Sequence, residues 1–109
     1  MELTAEQKLD MLAAAERRHP HEACGFVTAD GRVLELRNVS ATPESTFSVA
    51  PEDVVAIWHT YGRPVGLWHS HPGGRIKPSE PDIDQHPPGM IMWIVAGGDV
   101  YAYADPASA

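Results

Sequence analysis

The sequence predicts a mixed α/β domain in which helices flank a central β-sheet. Three observations support this prediction: two segments carry apolar residues at helical spacing, several short apolar runs end at Gly, Pro or Asp, and the two kinds of segment are interleaved. The 109 residues, 43% of them hydrophobic, are close to the common size of a domain. We therefore expect one domain over residues 1–109.

The first element is a helix that begins after Thr4. Thr4 and Gln7 have the spacing of a capping box, and Pro20 cannot continue a helix. Between them, one apolar face follows helical spacing: Ala5, Leu9, Leu12 and Ala13. A hairpin follows, with strands over residues 23–29 and 32–38 joined at Asp30-Gly31.

The middle of the chain predicts a short strand over Thr46–Val49 and then a second helix. Pro51 suits the first turn of that helix and Gly62 its end. One face of the helix would carry Val54, Trp58 and Tyr61. The simplest interpretation of the three tryptophans, Trp58, Trp68 and Trp93, is that they lie in the core.

The remaining segments predict a strand, a short helix and a final hairpin. Val65–His71 has the composition of a buried strand, and Ser79 is a good N-cap for a helix that Pro87-Pro88 ends. Met90–Ala96 and Val100–Ala104 then form two strands joined by Gly97-Gly98-Asp99.

Charge and composition restrict the function classes. A net charge of −7 with only eight Lys and Arg argues against a nucleic-acid partner, since phosphate binding needs a basic surface. No secretory signal and no apolar run of about 20 residues is present, so we expect a soluble protein without a membrane partner. Cys24 is the single cysteine, which fits a reducing, cytoplasmic location and excludes Cys-rich zinc sites.

His69 and His71 are the first candidate site residues. They lie two residues apart on a predicted strand, so both side chains leave the same face of the sheet. Two such imidazoles could bind one zinc ion, with bonds of about 2.0–2.1 Å. The alternative is that they simply cover an edge of the core.

Asp82 and Ser79 follow on the short helix. Asp82 would complete a set of two histidines and one carboxylate, which leaves a fourth zinc position open for water. Ser79 could donate a hydrogen bond to the oxyanion formed when water attacks a carbonyl. The two residues also have the spacing of a capping box, and the two interpretations are compatible.

Glu22 is the candidate general acid and base. It precedes the apolar strand that starts Ala23-Cys24, an unusual place for a charged side chain. A carboxylate beside a zinc site can accept a proton from water and later deliver it to a leaving amine. The alternative is an ordinary surface glutamate.

Together these residues resemble the signature of the JAMM (MPN-plus) metalloprotease family. That signature is a glutamate, then His-Ser/Thr-His-Pro, then a Ser separated from the second histidine by seven residues, and an Asp separated from that Ser by two. Here seven residues separate His71 from Ser79 and two separate Ser79 from Asp82. The stretch around Glu22, Pro-His-Glu-Ala-Cys-Gly, also resembles the family, and the order of elements follows it over nearly the whole chain.

The resemblance implies a cytidine-deaminase-like fold with one Zn²⁺ per chain at the edge of the sheet. It assigns His69, His71 and Asp82 as zinc ligands, Glu22 as acid and base, and Ser79 as oxyanion donor. The implied enzyme is a zinc metallopeptidase of the compact prokaryotic or phage type. It would cleave a peptide or isopeptide bond in a peptide or small protein.

Three alternatives for its function are open, of which the first two follow from that resemblance. The substrate would be the C-terminal tail of a ubiquitin-like or sulfur-carrier protein, or a peptide met in phage-tail assembly or at the cell wall. The third alternative is a zinc-holding interaction module without catalysis.

Overall fold

Residues 1–104, which the computed structural model describes, form three helices and five strands. In chain order these are α1 (Ala5–Arg18), β1 (Cys24–Val27), β2 (Val33–Leu36), α2 (Pro51–Tyr61), β3 (Gly66–Ser70), α3 (Glu80–Gln85), β4 (Ile91–Ala96) and β5 (Asp99–Tyr103). The predicted end of the domain at residue 109 lies outside the described residues. Among the described residues, no helix is both long and apolar enough to cross a lipid bilayer.

The five strands form one mixed sheet in the order β2-β1-β3-β4-β5. β3 and β4 are parallel, and the other neighbouring pairs are antiparallel. A parallel pair needs a crossover connection, and here α3 lies in the segment that joins β3 to β4. The predicted mixed α/β fold with a central sheet is confirmed.

The face of the sheet under α1 carries a tightly buried apolar core. Met11 of α1 and the indole rings of Trp68 and Trp93 are at most 2% exposed. Trp68 also donates from Nε1 to the carbonyl of Leu34 at 3.2 Å. A side chain at Gly25 would place its Cβ 2.6 Å from that Nε1, so β1 needs glycine where the indole crosses it.

The opposite face of the sheet is covered by α2 and by the segment before it. Phe26, Phe47 and Leu67 are buried there, but α2 itself has no buried residue. Trp58 of α2 is 41% exposed, so the expectation of three core tryptophans is wrong for this one. The Arg63 guanidinium lies 5.9 Å from the centroid of its ring.

The capping box predicted at the start of α1 is confirmed. Thr4 accepts from the backbone of Gln7, and the Gln7 side chain accepts from the Thr4 backbone.

The strand predicted over Thr46–Val49 is wrong, because that segment is irregular. The Asn38 amide forms hydrogen bonds there that a neighbouring strand would otherwise form: it donates to the Thr46 carbonyl and accepts from the Ser48 N–H, each at 3.1 Å.

Candidate metal centre

The register of β1 against β3 brings Glu22 to the histidines. Cys24 pairs with His69 across these antiparallel strands, so the residue two places before Cys24 lies beside the residue two places after His69. The backbone N–H of Ser70 donates to the Ala23 carbonyl at 2.9 Å, and the Ser70 hydroxyl accepts from the Ala23 N–H at 2.8 Å. Strand pairing therefore places Glu22 next to His71, although 48 residues lie between them in the sequence.

His69 and His71 point to the same side of the sheet, as their spacing predicts. Their Nε2 atoms lie 3.1 Å apart, and the ring centroids are separated by 4.9 Å with the planes inclined at 64°. The backbone N–H of His71 donates to the Val95 carbonyl at 2.9 Å, which fixes the end of β3 against β4.

Asp82 reaches the histidines from the first turn of α3. Its Oδ2 atom lies 3.1 Å from His69 Nε2 and 3.0 Å from His71 Nε2. The same Oδ2 accepts from the Ser79 N–H at 2.8 Å, and the Ser79 hydroxyl accepts from the Asp82 N–H at 3.3 Å. Asp82 is therefore both the capping-box partner of Ser79 and a member of the cluster.

Four ligand atoms, one from each of Glu22, His69, His71 and Asp82, lie within 4.8 Å of one another. The side chains are almost completely buried, with 3, 0, 9 and 3% of their residues' surface exposed, respectively. Within residues 1–104, two of their polar atoms, Glu22 Oε1 and His69 Nδ1, have no hydrogen-bond partner. Buried polar atoms are usually paired, so the unpaired Glu22 oxygen is an exception among the side chains of this cluster. This group could hold a metal ion.

Two contacts that the sequence did not predict fix the histidine rings. His71 Nδ1 lies 2.7 Å from the carbonyl oxygen of Arg75, which can only accept, so Nδ1 carries the proton and the Nε2 lone pair faces the cluster. The ring of Phe47 stacks on His69 with 4.5 Å between centroids. A backbone carbonyl has no signal in the sequence, and Phe47 lies in the segment that was wrongly expected to be a strand.

Burial and neighbouring charges set the protonation states. Desolvation raises the pKa of Glu22 to about 7, with Asp82 adding to the effect and His71 opposing it. Burial also lowers the pKa of His69. For Asp82, burial would raise the pKa, but the two histidines outweigh it and hold the pKa well below its usual range. A carboxyl group with a pKa near 7 can both accept and donate a proton at neutral pH.

The remaining polar residues named in the sequence lie in ordinary environments. Ser79 is half-buried and its hydroxyl caps α3, which is the structural one of its two predicted roles. Cys24 is completely buried, and burial together with the charges of Glu22 and Glu35 raises the pKa of its thiol to about 12. His19, His21 and His59 are exposed. Cys24 therefore packs as a small apolar residue, as the sequence suggested.

Comparison with known proteins gives three consistent findings. The family described as prokaryotic homologs of the JAB domain matches residues 4–106. A relative named tail tip assembly protein K, from Escherichia phage N15, is 36% identical over 86 residues, which are 76% of this chain and 35% of that protein. The chain thus spans about a third of the length of that relative.

The solved structure of protein DSY2949 from Desulfitobacterium hafniense has the same fold. It superposes with a TM-score of 0.72 at 28% identity and covers 92% of this chain and 79% of its own. The family match, the fold and the four clustered side chains agree with the resemblance found in the sequence. This chain belongs to the prokaryotic homologs of the JAB domain.

Proposed function

We propose that the protein is a zinc-dependent metallopeptidase that hydrolyses a peptide or isopeptide bond. The single observation that carries this proposal is the convergence of Glu22, His69, His71 and Asp82 within 4.8 Å at the edge of the sheet. Two neutral imidazoles and two carboxylates have a combined charge of about −2 when both acids are ionised, which matches a divalent cation.

The spacing of three ligand atoms supports zinc as the ion. His69 Nε2, His71 Nε2 and Asp82 Oδ2 form a triangle with sides of 3.0–3.1 Å. Bonds of about 2.0–2.1 Å in a tetrahedron require ligand atoms about 3.3 Å apart, so only a small expansion is needed. His69, His71 and Asp82 would hold the ion and leave one position open. Zinc bound there would supply Lewis acidity toward water and a carbonyl oxygen.

Glu22 would move the proton in this reaction. Its carboxylate takes a proton as the water oxygen bonds to the carbonyl carbon, and returns it to nitrogen as the C–N bond breaks. Ser79 would donate its hydroxyl hydrogen to the developing oxyanion, since its role as a cap uses only the oxygen lone pairs. The Arg75 carbonyl keeps the His71 ring oriented.

Of the substrates considered, a peptide met during phage-tail assembly receives support from a relative. Tail tip assembly protein K of Escherichia phage N15 shares 36% identity with this chain. The tail of a ubiquitin-like or sulfur-carrier protein is the other substrate that the family resemblance suggests. In either case we propose a peptide or small-protein partner, no nucleic acid and a cytoplasmic site of action, which suits the unpaired Cys24.

The test is peptide cleavage by the zinc-loaded protein, followed by mass spectrometry of a mixed peptide library and of carrier-protein fusions. We expect wild type to cleave at least one substrate and Glu22→Gln to lose about 100-fold or more in kcat while retaining zinc. Glu44→Gln, at an exposed position, is the charge-matched control. Equal cleavage by Glu22→Gln and wild type would refute the assigned role of Glu22.

A non-catalytic module that holds zinc is the second candidate. The contact that favours it is the double use of Asp82, which closes the capping box of α3 as well as facing the histidines. In that case zinc would stabilise the start of α3. Zinc binding together with no cleavage by wild type across the library would select this candidate.

A further inference from the structure

Asn38 holds the backbone of Glu22 at the point where the pairing of β1 with β2 ends. Cys24 pairs with Leu36 in this antiparallel register, so the next pair outward would be Glu22 and Asn38. Instead of its backbone, Asn38 uses its side chain there: Nδ2 donates to the Glu22 carbonyl at 3.0 Å. The Glu22 N–H donates to the Pro43 carbonyl at 2.7 Å. Both backbone groups of Glu22 therefore have partners that follow β2 in the chain.

The same amide group holds the two residues on either side of Phe47. Asn38 Nδ2 donates to the Thr46 carbonyl at 3.1 Å, and Asn38 Oδ1 accepts from the Ser48 N–H at 3.1 Å. Phe47 lies between these two contacts and is buried, and its ring stacks on His69. One side chain thus links the backbone of the proposed acid and base to the ring that packs on a proposed metal ligand.

The remaining contacts of Asn38 fix the orientation of its amide. Oδ1 also accepts from the Ser40 N–H at 3.1 Å, and Nδ2 lies 3.4 Å from the Pro43 carbonyl. All partners of Nδ2 are carbonyl oxygens, which only accept, and both partners of Oδ1 are N–H groups, which only donate. Among side chains of this size, an ionised aspartate would only accept and a leucine would do neither. The network therefore specifies asparagine.

We propose that Asn38 is a positioning residue: it sets where the Glu22 carboxylate lies relative to the histidines and keeps the Phe47 ring stacked on His69. The proposal rests on the proposed function in giving Glu22 the role of acid and base. β1 begins two residues after Glu22, so strand pairing alone does not hold this residue. Placement matters for the reaction, because displacing a reacting group by about 1 Å can cost about 100-fold in rate.

Two substitutions of Asn38 and one control test this role. Asn38→Asp keeps the shape and both acceptor contacts but places an oxygen against the carbonyls of Glu22 and Thr46. Asn38→Ala removes every contact without adding a charge. Ser40→Ala is the matched control, because the Ser40 hydroxyl accepts from the Thr42 N–H and contacts the Thr46 hydroxyl in the same segment, with no bond to Glu22.

The first readout is NMR spectroscopy of the full chain, with zinc and with a chelator, and it needs no hydrolysis. We expect the stacked Phe47 ring to shift the His69 ring hydrogens upfield in wild type and in Ser40→Ala. Both Asn38 variants should lose this shift and should change the chemical shift of the Glu22 carboxyl carbon. A mere loss of stability would leave the native-state signals in place. Unchanged signals in the Asn38 variants, or the same changes in Ser40→Ala, would overturn the proposal.

A measurement on wild type applies even if neither Asn38 variant folds. The two Nδ2 hydrogens of Asn38 should exchange with water more slowly than the side-chain amide hydrogens of Gln85, which is exposed. Equally fast exchange at the two residues would show that the Asn38 contacts do not persist in solution, and it would overturn the proposal.

Peptide cleavage then separates the positioning role from the proposed function. If the protein hydrolyses peptides, Asn38→Ala at saturating zinc should lower kcat about 10- to 100-fold with KM unchanged, and Ser40→Ala should match wild type. Full activity in Asn38→Ala would overturn the positioning role and leave the peptidase function standing. No cleavage by wild type, together with the expected NMR changes, would refute the peptidase function and leave the positioning of Glu22 standing.

Discussion

Two buried regions of this protein have opposite chemistry. Under α1, Met11, Trp68 and Trp93 are at most 2% exposed and are apolar, whereas at the edge of the same sheet Glu22 and Asp82 are each 3% exposed and can carry charge. Burial of apolar surface stabilises a fold by about 25 cal/mol per Å². Burial of charged groups costs free energy unless partners compensate for it.

This difference separates a region that stabilises the fold by apolar packing from one that could hold a metal ion. The polar cluster contains a carboxylate oxygen, Glu22 Oε1, that has no partner in the described part of the chain, so the contacts there do not fully compensate for its burial. A cation in the cluster would supply the missing interaction. The following predictions test this contrast, from the largest expected effect to the smallest.

Trp68→Ala tests the apolar region. Removing this fully buried indole should lower the free energy of unfolding by about 3–5 kcal/mol, because it leaves a cavity under α1. Trp58→Ala is the matched control, since Trp58 is 41% exposed, and should cost about 1 kcal/mol or less. Urea unfolding followed by circular dichroism measures both. Similar losses for the two variants would show that the α1 core does not dominate stability.

Glu22→Gln tests the polar region in protein stripped of metal with a chelator. Burial raises the pKa of Glu22 from 4.5 to about 7, so the native state retains a proton that the unfolded chain releases. The resulting stability is fully present below pH 4.5 and is lost as the pH rises through about 7. Between pH 4.5 and about 7, the free energy of unfolding of wild type should fall by about 3 kcal/mol relative to that of Glu22→Gln.

The measurement is the free energy of unfolding of both proteins from pH 4 to 8, taken as a difference so that the other titrating groups cancel. Glu44→Gln, at an exposed site, should follow wild type at every pH. A difference between wild type and Glu22→Gln that stays constant with pH would mean that the buried carboxyl is not perturbed.

Zinc itself should stabilise the polar region. At a free zinc concentration 100 times the dissociation constant, binding to the native state adds about 2.7 kcal/mol and raises Tm. Asp82→Asn should lose most of this increase, whereas Asp84→Asn, an exposed neighbour on the same helix, should retain it. Differential scanning calorimetry with and without zinc gives the result. An equal increase in Tm for wild type and Asp82→Asn would place the ion elsewhere.

Thr4→Ala has the smallest expected effect and lies far from the cluster in the sequence. Losing the N-cap of α1 should cost about 1 kcal/mol of stability, because the Gln7 N–H loses its acceptor. Zinc affinity should not change. A loss of zinc affinity in this variant, measured by competition with a chelator, would contradict the separation between stability and binding.

Much of this fold is predictable because its signals are local. The capping box of Thr4 and Gln7, Pro51 at the start of α2 and the glycine turns each act within a few residues, and the structure has all of them. The strand wrongly predicted over Thr46–Val49 shows where local signals end. In that segment, the backbone of Thr46 and Ser48 is hydrogen-bonded to the side chain of Asn38, which lies eight to ten residues earlier in the sequence. The composition of the segment gives no sign of this contact.

The sequence predicted which side chains form the candidate site, but it did not predict the contacts that orient them. His69, His71, Asp82 and Glu22 were found by type and spacing, together with a family resemblance, and they do cluster. The contacts that orient them come from tertiary packing: a backbone carbonyl of Arg75 and the ring of Phe47. The same holds for the partial exposure of Trp58, which depends on how closely α2 approaches the sheet.

The most direct test of this account is X-ray absorption spectroscopy of zinc in the purified protein, with the metal content measured on the same sample. We expect one zinc per chain with two imidazole nitrogens and oxygen ligands at about 2.0–2.1 Å, and a lost or weakened site in Asp82→Asn. Protein that takes up no zinc, or a spectrum that shows sulfur or fewer than two imidazoles, would contradict a metal centre built from His69, His71 and Asp82.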